Sequence, residues 1–261
     1  MAEQDDNRGV HDPRLMTTLQ SLIYEEQELT AHAGNRLGSV VQVAETALAL
    51  LNTFVISIGE EHFMAAALQL AIQKTATLAY LSYIRQHHAQ AEFNTRQLIE
   101  YCALCAYLLA HPLEDMTRNP SDKGSAFKPP KAMSIRAYKW LHQALRHHSQ
   151  ILKEAKDQIN DTAAHASIYM TQFTFNWEAS GGSEYMGSFF DNMEINAQRL
   201  YVMSFARVVL VVIDTLRRTA ETHGGFVIRD GLEAQLRQLE LRINTHRDAI
   251  GTRMGILNSA E

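Results

Sequence analysis

Asn94-Thr-Arg-Gln-Leu-Ile-Glu-Tyr-Cys-Ala-Leu-Cys-Ala-Tyr-Leu-Leu-Ala-His111 is the stretch that decides the fold. Asn94 is a good helix cap, and Gln97 stands three residues on, as a capping box requires. Pro112 stops the helix. Between them, Tyr101 to Ala110 carries no charge on any face. A helix that is apolar all round must be buried on all sides. Arg96 and Glu100 immediately precede this run at i and i+4, where opposite charges pair on one helix face. The pair therefore stands at the edge of a core. It either orients the helix as a structural ion pair or forms a polar patch in a cleft.

Working outward, nearly every other segment also reads as helix. Pro13 to about Arg36 forms a first helix with an acidic run at Glu25, Glu26 and Glu28. Val40–Ile58 forms a second, ended by Gly59, and Glu60 to about Ala91 an Ala-rich third. Ala132–Tyr169 is helical, with Leu141, Leu145, His148, Leu152, Ala155 and Ile159 on one narrow arc. Phe190–His223 is a long helix closed by Gly224-Gly225. Leu232, Leu236, Leu239, Ile243, His246 and Ile250 form a short heptad seam. It packs back on the bundle or pairs with a second subunit. One segment has the period of a strand: Phe173, Phe175 and Trp177 alternate with Thr174 and Asn176. With a turn at Gly181-Gly182 and a return arm over Tyr185–Phe190, it reads as a small aromatic hairpin.

The expected fold is thus all-α, a helical bundle of about six or seven helices with one small aromatic β-hairpin insertion. Residues 1–14 are polar and acidic and read as a disordered N-terminus. Residues 15–225 form the bundle domain, and 226–261 a C-terminal helical arm. Residues 112–131 hold four of the chain's five prolines and form one long loop. Such a loop is a tether between two helical halves or a mobile lid.

Composition narrows the function. The chain has 261 residues, 46% of them hydrophobic and 20% charged, which is ordinary globular usage. A net charge of −5 sets up no global field for nucleic acid or an anionic membrane. Val40–Ile58 is interrupted by Gln42, Glu45 and Asn52, and Leu200–Ile213 is short and contains Arg207. Neither reads as a membrane span. Two cysteines fit a reducing compartment, and the expected location is the cytoplasm.

Catalytic signatures are sparse. Cys102 and Cys105 form a C-x-x-C in mid-helix, away from the helix N-terminus that a redox pair uses, so they read as buried structural thiols. Glu-x-x-His and His-x-x-x-His are absent from the chain, and no metal or other cofactor is expected. Phosphate-binding glycine loops and a nucleophile elbow are absent too. Lys139, His142, Arg146 and Lys153 make a basic stripe that is either a phosphate contact or a solvated face; the acidic net charge favours the second. His165 follows Asp161 by four residues and could be oriented by it, although a regular helix puts it off the apolar arc.

Arg96-Gln-Leu-Ile-Glu100, followed by the apolar helix ending Tyr107-Leu-Leu, resembles helical families of the HEPN-like type. Two later features agree: a helix ending Asn160-Asp-Thr-Ala-Ala-His165, and an aromatic stretch before Phe190-Asp191 opens a long apolar helix. The likeness spans roughly Leu70 to Arg218. It implies a helical bundle, often dimeric. Some members are metal-independent ribonucleases with an Arg-x(4–6)-His motif, and others are binding or regulatory modules. Arg218–His223, Arg217–His223 and Arg136–His142 fit that spacing, where composition alone supplies about two fits by chance. The leading expectation is a dimeric binding or regulatory module with a protein or RNA partner. The alternative is a ribonuclease. Its candidate site residues are Arg96, Glu100, His165, Arg218 and His223, with His as acid or base and Arg on phosphate.

Overall fold

The computed structural model describes residues 18–112, 131–162 and 189–255. The disordered N-terminus expected at 1–14, the interior of the Pro-rich loop, the aromatic hairpin near 173–188 and His165 lie outside the described residues.

The described chain is an all-α bundle with one two-stranded antiparallel sheet. Its helices are α1 (Leu19–Ala31), α2 (Ala33–Leu37), α3 (Ser39–Thr53), α4 (Phe63–Ile84) and α5 (His88–Ala110), followed by α6 (Lys131–Ala144), α7 (Arg146–Thr162), α8 (Ile195–His223) and α9 (Leu232–Arg253). Two breaks raise the number above six or seven. His32 divides the first helical stretch, and Leu145 divides the expected Ala132–Tyr169 helix. The inward arc continues across that second break: Leu141, Leu152 and Ile159 are all buried.

α5 is the buried helix that its sequence demands, with every residue from Cys102 to Leu109 buried. It begins at His88 rather than Asn94. The reason is tertiary: the His88 backbone N–H donates to Asp191 Oδ2 at 2.6 Å, so a carboxylate about a hundred residues away caps the helix. α4 and α5 form the most extensively packed pair, joined through Gln86, a non-glycine residue with φ of +61°. α8 runs about 44 Å through the bundle and packs against α3, α5 and α9. The seam of α9 folds back in the same chain: Leu232, Leu236, Leu239, Ile243 and Ile250 are buried. His246, the polar member of the seam, contacts Ser39 Oγ at 2.9 Å.

The sheet among the described residues is built from two segments that the sequence reading does not take as strands. β1 (Val55–Ile58) pairs with β2 (Phe226–Ile228), through Val55↔Ile228, Ser57↔Val227 and Ile58↔Phe226. Val40–Ile58 is therefore not one helix; α3 stops at Thr53. The Gly224-Gly225 stop does two jobs. Gly224 ends α8 with φ of +83°, and Gly225 delivers the chain to β2. A Cβ on Gly225 would stand 2.6 Å from the His62 ring and 2.8 Å from a Leu109 methyl, so the close approach requires glycine. No helix among the described residues is long and apolar enough to cross a membrane.

Candidate functional site

α4, α5, α7, α8 and α9 enclose a cavity of about 320 Å³. Its polar centre comes from two adjacent helices. On α5, His88, Glu92, Thr95 and Ile99 recur at four, three and four residues, which places them on one face. That face is the buried one. Glu92 is thus a carboxylate on an apolar stripe. Tyr83, near the end of α4, donates its phenol O–H to Glu92 Oε1 at 2.5 Å. Burial pushes the Glu92 carboxyl up to about 7, against the pull of the Tyr83 hydrogen bond. Burial also raises the Tyr83 phenol, and the charge of Glu92 raises it further.

Aromatic rings surround this pair. Tyr83 stands 5.7 Å from Phe205 and 6.4 Å from Tyr201, centroid to centroid. His88 packs edge-on between Tyr83 and Tyr201, fully buried. Its Nδ1 lies 3.4 Å from Asp191 Oδ2, and neither ring nitrogen completes a hydrogen bond among the described residues. The remaining wall is mixed. Leu200 and Val208 are apolar, Gln158 and Ser204 are polar, and Arg247 comes from α9. A small cavity in which apolar and aromatic side chains surround convergent polar groups, one of them strongly shifted, has the make-up of a ligand site.

A second cluster is built on Asp214 of α8. His148 of α7 donates from Nε2 to Asp214 Oδ2 at 2.7 Å. Arg218 Nε reaches the same oxygen at 2.8 Å. Arg217 donates twice to Oδ1, at 2.9 and 2.7 Å, and once to Glu221 at 2.6 Å. Burial would raise the Asp214 carboxyl. The bonds from His148, Arg218 and Arg217 outweigh it and hold the group well below the usual carboxylate range. A cavity of about 260 Å³ lies beside this network.

No family model, curated protein or solved structure matches the chain.

The described residues among those singled out by sequence, Arg96, Glu100, Arg218 and His223, do not converge. Arg96 pairs with Glu100 at 3.4 Å, and Lys156 of α7 joins Glu100 at 2.9 Å while lying 4.5 Å over the Tyr138 ring. That cluster ties α5 to α6 and α7 at the edge of the core. Arg218 belongs to the Asp214 network. His223 sits at the end of α8, exposed, with its ring 5.9 Å from Trp140. The spacing Arg218–His223 thus joins residues with different partners. His148, which the sequence reading places only on the packing arc, is the histidine that meets Arg218 through Asp214.

Cys102 and Cys105 are free and fully buried. Burial pushes the Cys102 thiol up to about 12, and Cys105 rises too, as inert structural thiols do. Lys139, His142, Arg146 and Lys153 are all exposed, and Lys153 pairs with Asp157 at 2.5 Å. Among the described residues no group of three His, Cys, Asp or Glu could hold a metal ion.

A helix opened at Asn94 leaves Glu92 outside its buried arc, and Tyr83 and Arg247 come to the cavity from helices distant in the chain. With the helix begun at His88, a carboxylate on the buried arc is readable from the sequence.

Proposed function

We propose that this chain is a cytoplasmic, HEPN-like helical module that binds a small organic ligand in the Glu92 cavity and passes that event to a partner. One observation carries the reading: a buried carboxylate, bonded to a buried tyrosine, lines a cavity of mixed polar and apolar walls instead of being spent on an ion pair. Burying a carboxyl without a cation is costly, and folds retain such groups where a ligand or reaction uses them. Two free buried thiols support a reducing compartment.

The dimer in this reading is supported by α4. Over 22 residues it carries a single charge, Lys74. Its outward face presents Phe63, Leu70 and Leu78, all exposed, at positions that share a helix face. A second copy of the same face is the occupant we propose, since it offers apolar surface and no carboxylate. Leu70→Glu with Leu78→Glu should give a monomer by light scattering; an unchanged mass sinks the dimer.

The binding role is tested by native mass spectrometry of chain purified without added ligand. A small molecule carried by the wild type and lost from a Ser204→Trp variant supports it. Ligand-free protein that shows no thermal shift with any member of a small-metabolite panel contradicts it.

A second reading, a metal-independent ribonuclease, has support at a different place. His148 is oriented by Asp214 beside two arginines, which is the form of a general base with phosphate contacts. Against it, both arginines already donate to Asp214 and Glu221. RNA cleavage that disappears in His148→Ala would favour this reading; equal cleavage in the variant would end it.

A further inference from the structure

Most arginines among the described residues donate to an oxygen of the protein, as Arg36, Arg199 and Arg217 do. Arg247, half-buried in the wall of the Glu92 cavity, has no hydrogen bond or ion pair among the described residues. Half-burial removes part of the solvent that would screen its charge. A ligand anion supplies the missing counter-charge, and a guanidinium binds carboxylate and phosphate oxygens well because its donors form a fixed fork.

We propose that the cavity takes a small organic anion, a carboxylate or phosphate monoester whose charged head meets Arg247 and whose flat apolar body lies against Leu200, Phe205 and Val208. This rests on the reading of the cavity as a ligand site. The Tyr83–Glu92 pair then supplies a polar contact to the body of the ligand. The cavity volume of about 320 Å³ admits a molecule with one ring and a short charged arm.

The test uses the full chain and four probes of matched size: benzoate, phenyl phosphate, benzamide and benzylamine. Binding is read by saturation-transfer NMR and calorimetric titration. Benzoate or phenyl phosphate should bind at least about tenfold more tightly than benzamide or benzylamine. The preference between the two anions tells carboxylate from phosphate. Arg247→Gln should lose about tenfold in anion affinity, and Arg247→Lys should keep part of it. Ser204→Trp should block all binding. Benzamide or benzylamine binding as tightly as the anions, unaffected by Arg247→Gln, overturns the anion proposal while leaving the cavity as a ligand site. Failure of all four probes to bind a chain with a normal unfolding transition overturns both.

Discussion

Glu92 and Asp214 are two carboxylates held inside one bundle in opposite ways. Asp214 has a histidine and two arginines around it, and every one of its polar neighbours donates to it. Glu92 has one phenol and a cavity. The first arrangement balances its charge within the protein and fixes α7 against α8. The second leaves the charge unbalanced by any cation of the protein, with Arg247 facing into the same cavity unspent. The difference teaches how to separate structural from working polar groups by geometry alone. A closed network orients helices, whereas an open one needs a further molecule.

The largest effect expected concerns the closed network. Asp214→Asn removes the negative charge shared by His148, Arg217 and Arg218 and replaces one acceptor oxygen with a donor, and should destabilise the chain by about 3 kcal/mol in urea unfolding. The carboxyl is held below its ordinary value of 3.8, so its contribution is present above that value and lost as pH falls through the acid range. A variant as stable as the wild type at pH 7 would break the comparison.

Glu92→Gln should move stability the other way. A carboxyl whose folded value lies above its unfolded one holds its proton more tightly when folded. Stability therefore falls as pH rises from the ordinary 4.5 to about 7, and is flat above. The glutamine variant escapes this loss. It should match the wild type near pH 4.5 and exceed it by up to about 3 kcal/mol at pH 8. The difference between the two proteins isolates Glu92 from the histidines, which titrate in both. A constant difference across pH would show that Glu92 is charged throughout.

Arg218→Gln tests the exposed margin of the closed network. Its side chain is 49% exposed, so the loss should be modest, about 0.5–1 kcal/mol. A loss as large as that of Asp214→Asn would make Arg218, rather than Arg217, the main partner. The smallest effect belongs to Arg247→Gln. A side chain with no protein partner should change stability by less than about 0.5 kcal/mol. A large loss would reveal a structural bond and remove the contrast with Arg217.

The parts of this fold legible in sequence are those set by local pattern. The charge-free run Tyr101–Ala110 gave a helix buried on all sides. The spacing of Leu232, Leu236, Leu239, Ile243 and Ile250 gave the packed seam of α9, and Gly224-Gly225 gave the end of α8. What escaped depends on distant partners. α5 starts at His88 because Asp191 caps it from another helix's approach, and no local residue announces that. Val55–Ile58 is a strand because Phe226–Ile228 lies beside it; alone it continues an apolar helix. The site escaped for the same reason. Starting α5 six residues late hid Glu92 from its buried arc, and Tyr83 and Arg247 reach the cavity from helices far apart in the chain. His148 was visible on its packing arc, but its Asp214 partner was not.

The most direct test is a carbon-13 NMR titration of the side-chain carboxyls, with Glu92 and Asp214 assigned through their amide variants. The account predicts that Glu92 titrates near pH 7, apart from the other glutamates, while Asp214 stays ionised well below the ordinary aspartate range. A Glu92 midpoint near 4.5 would contradict it, because a carboxyl so placed would be solvated or paired and the cavity would hold no unspent charge.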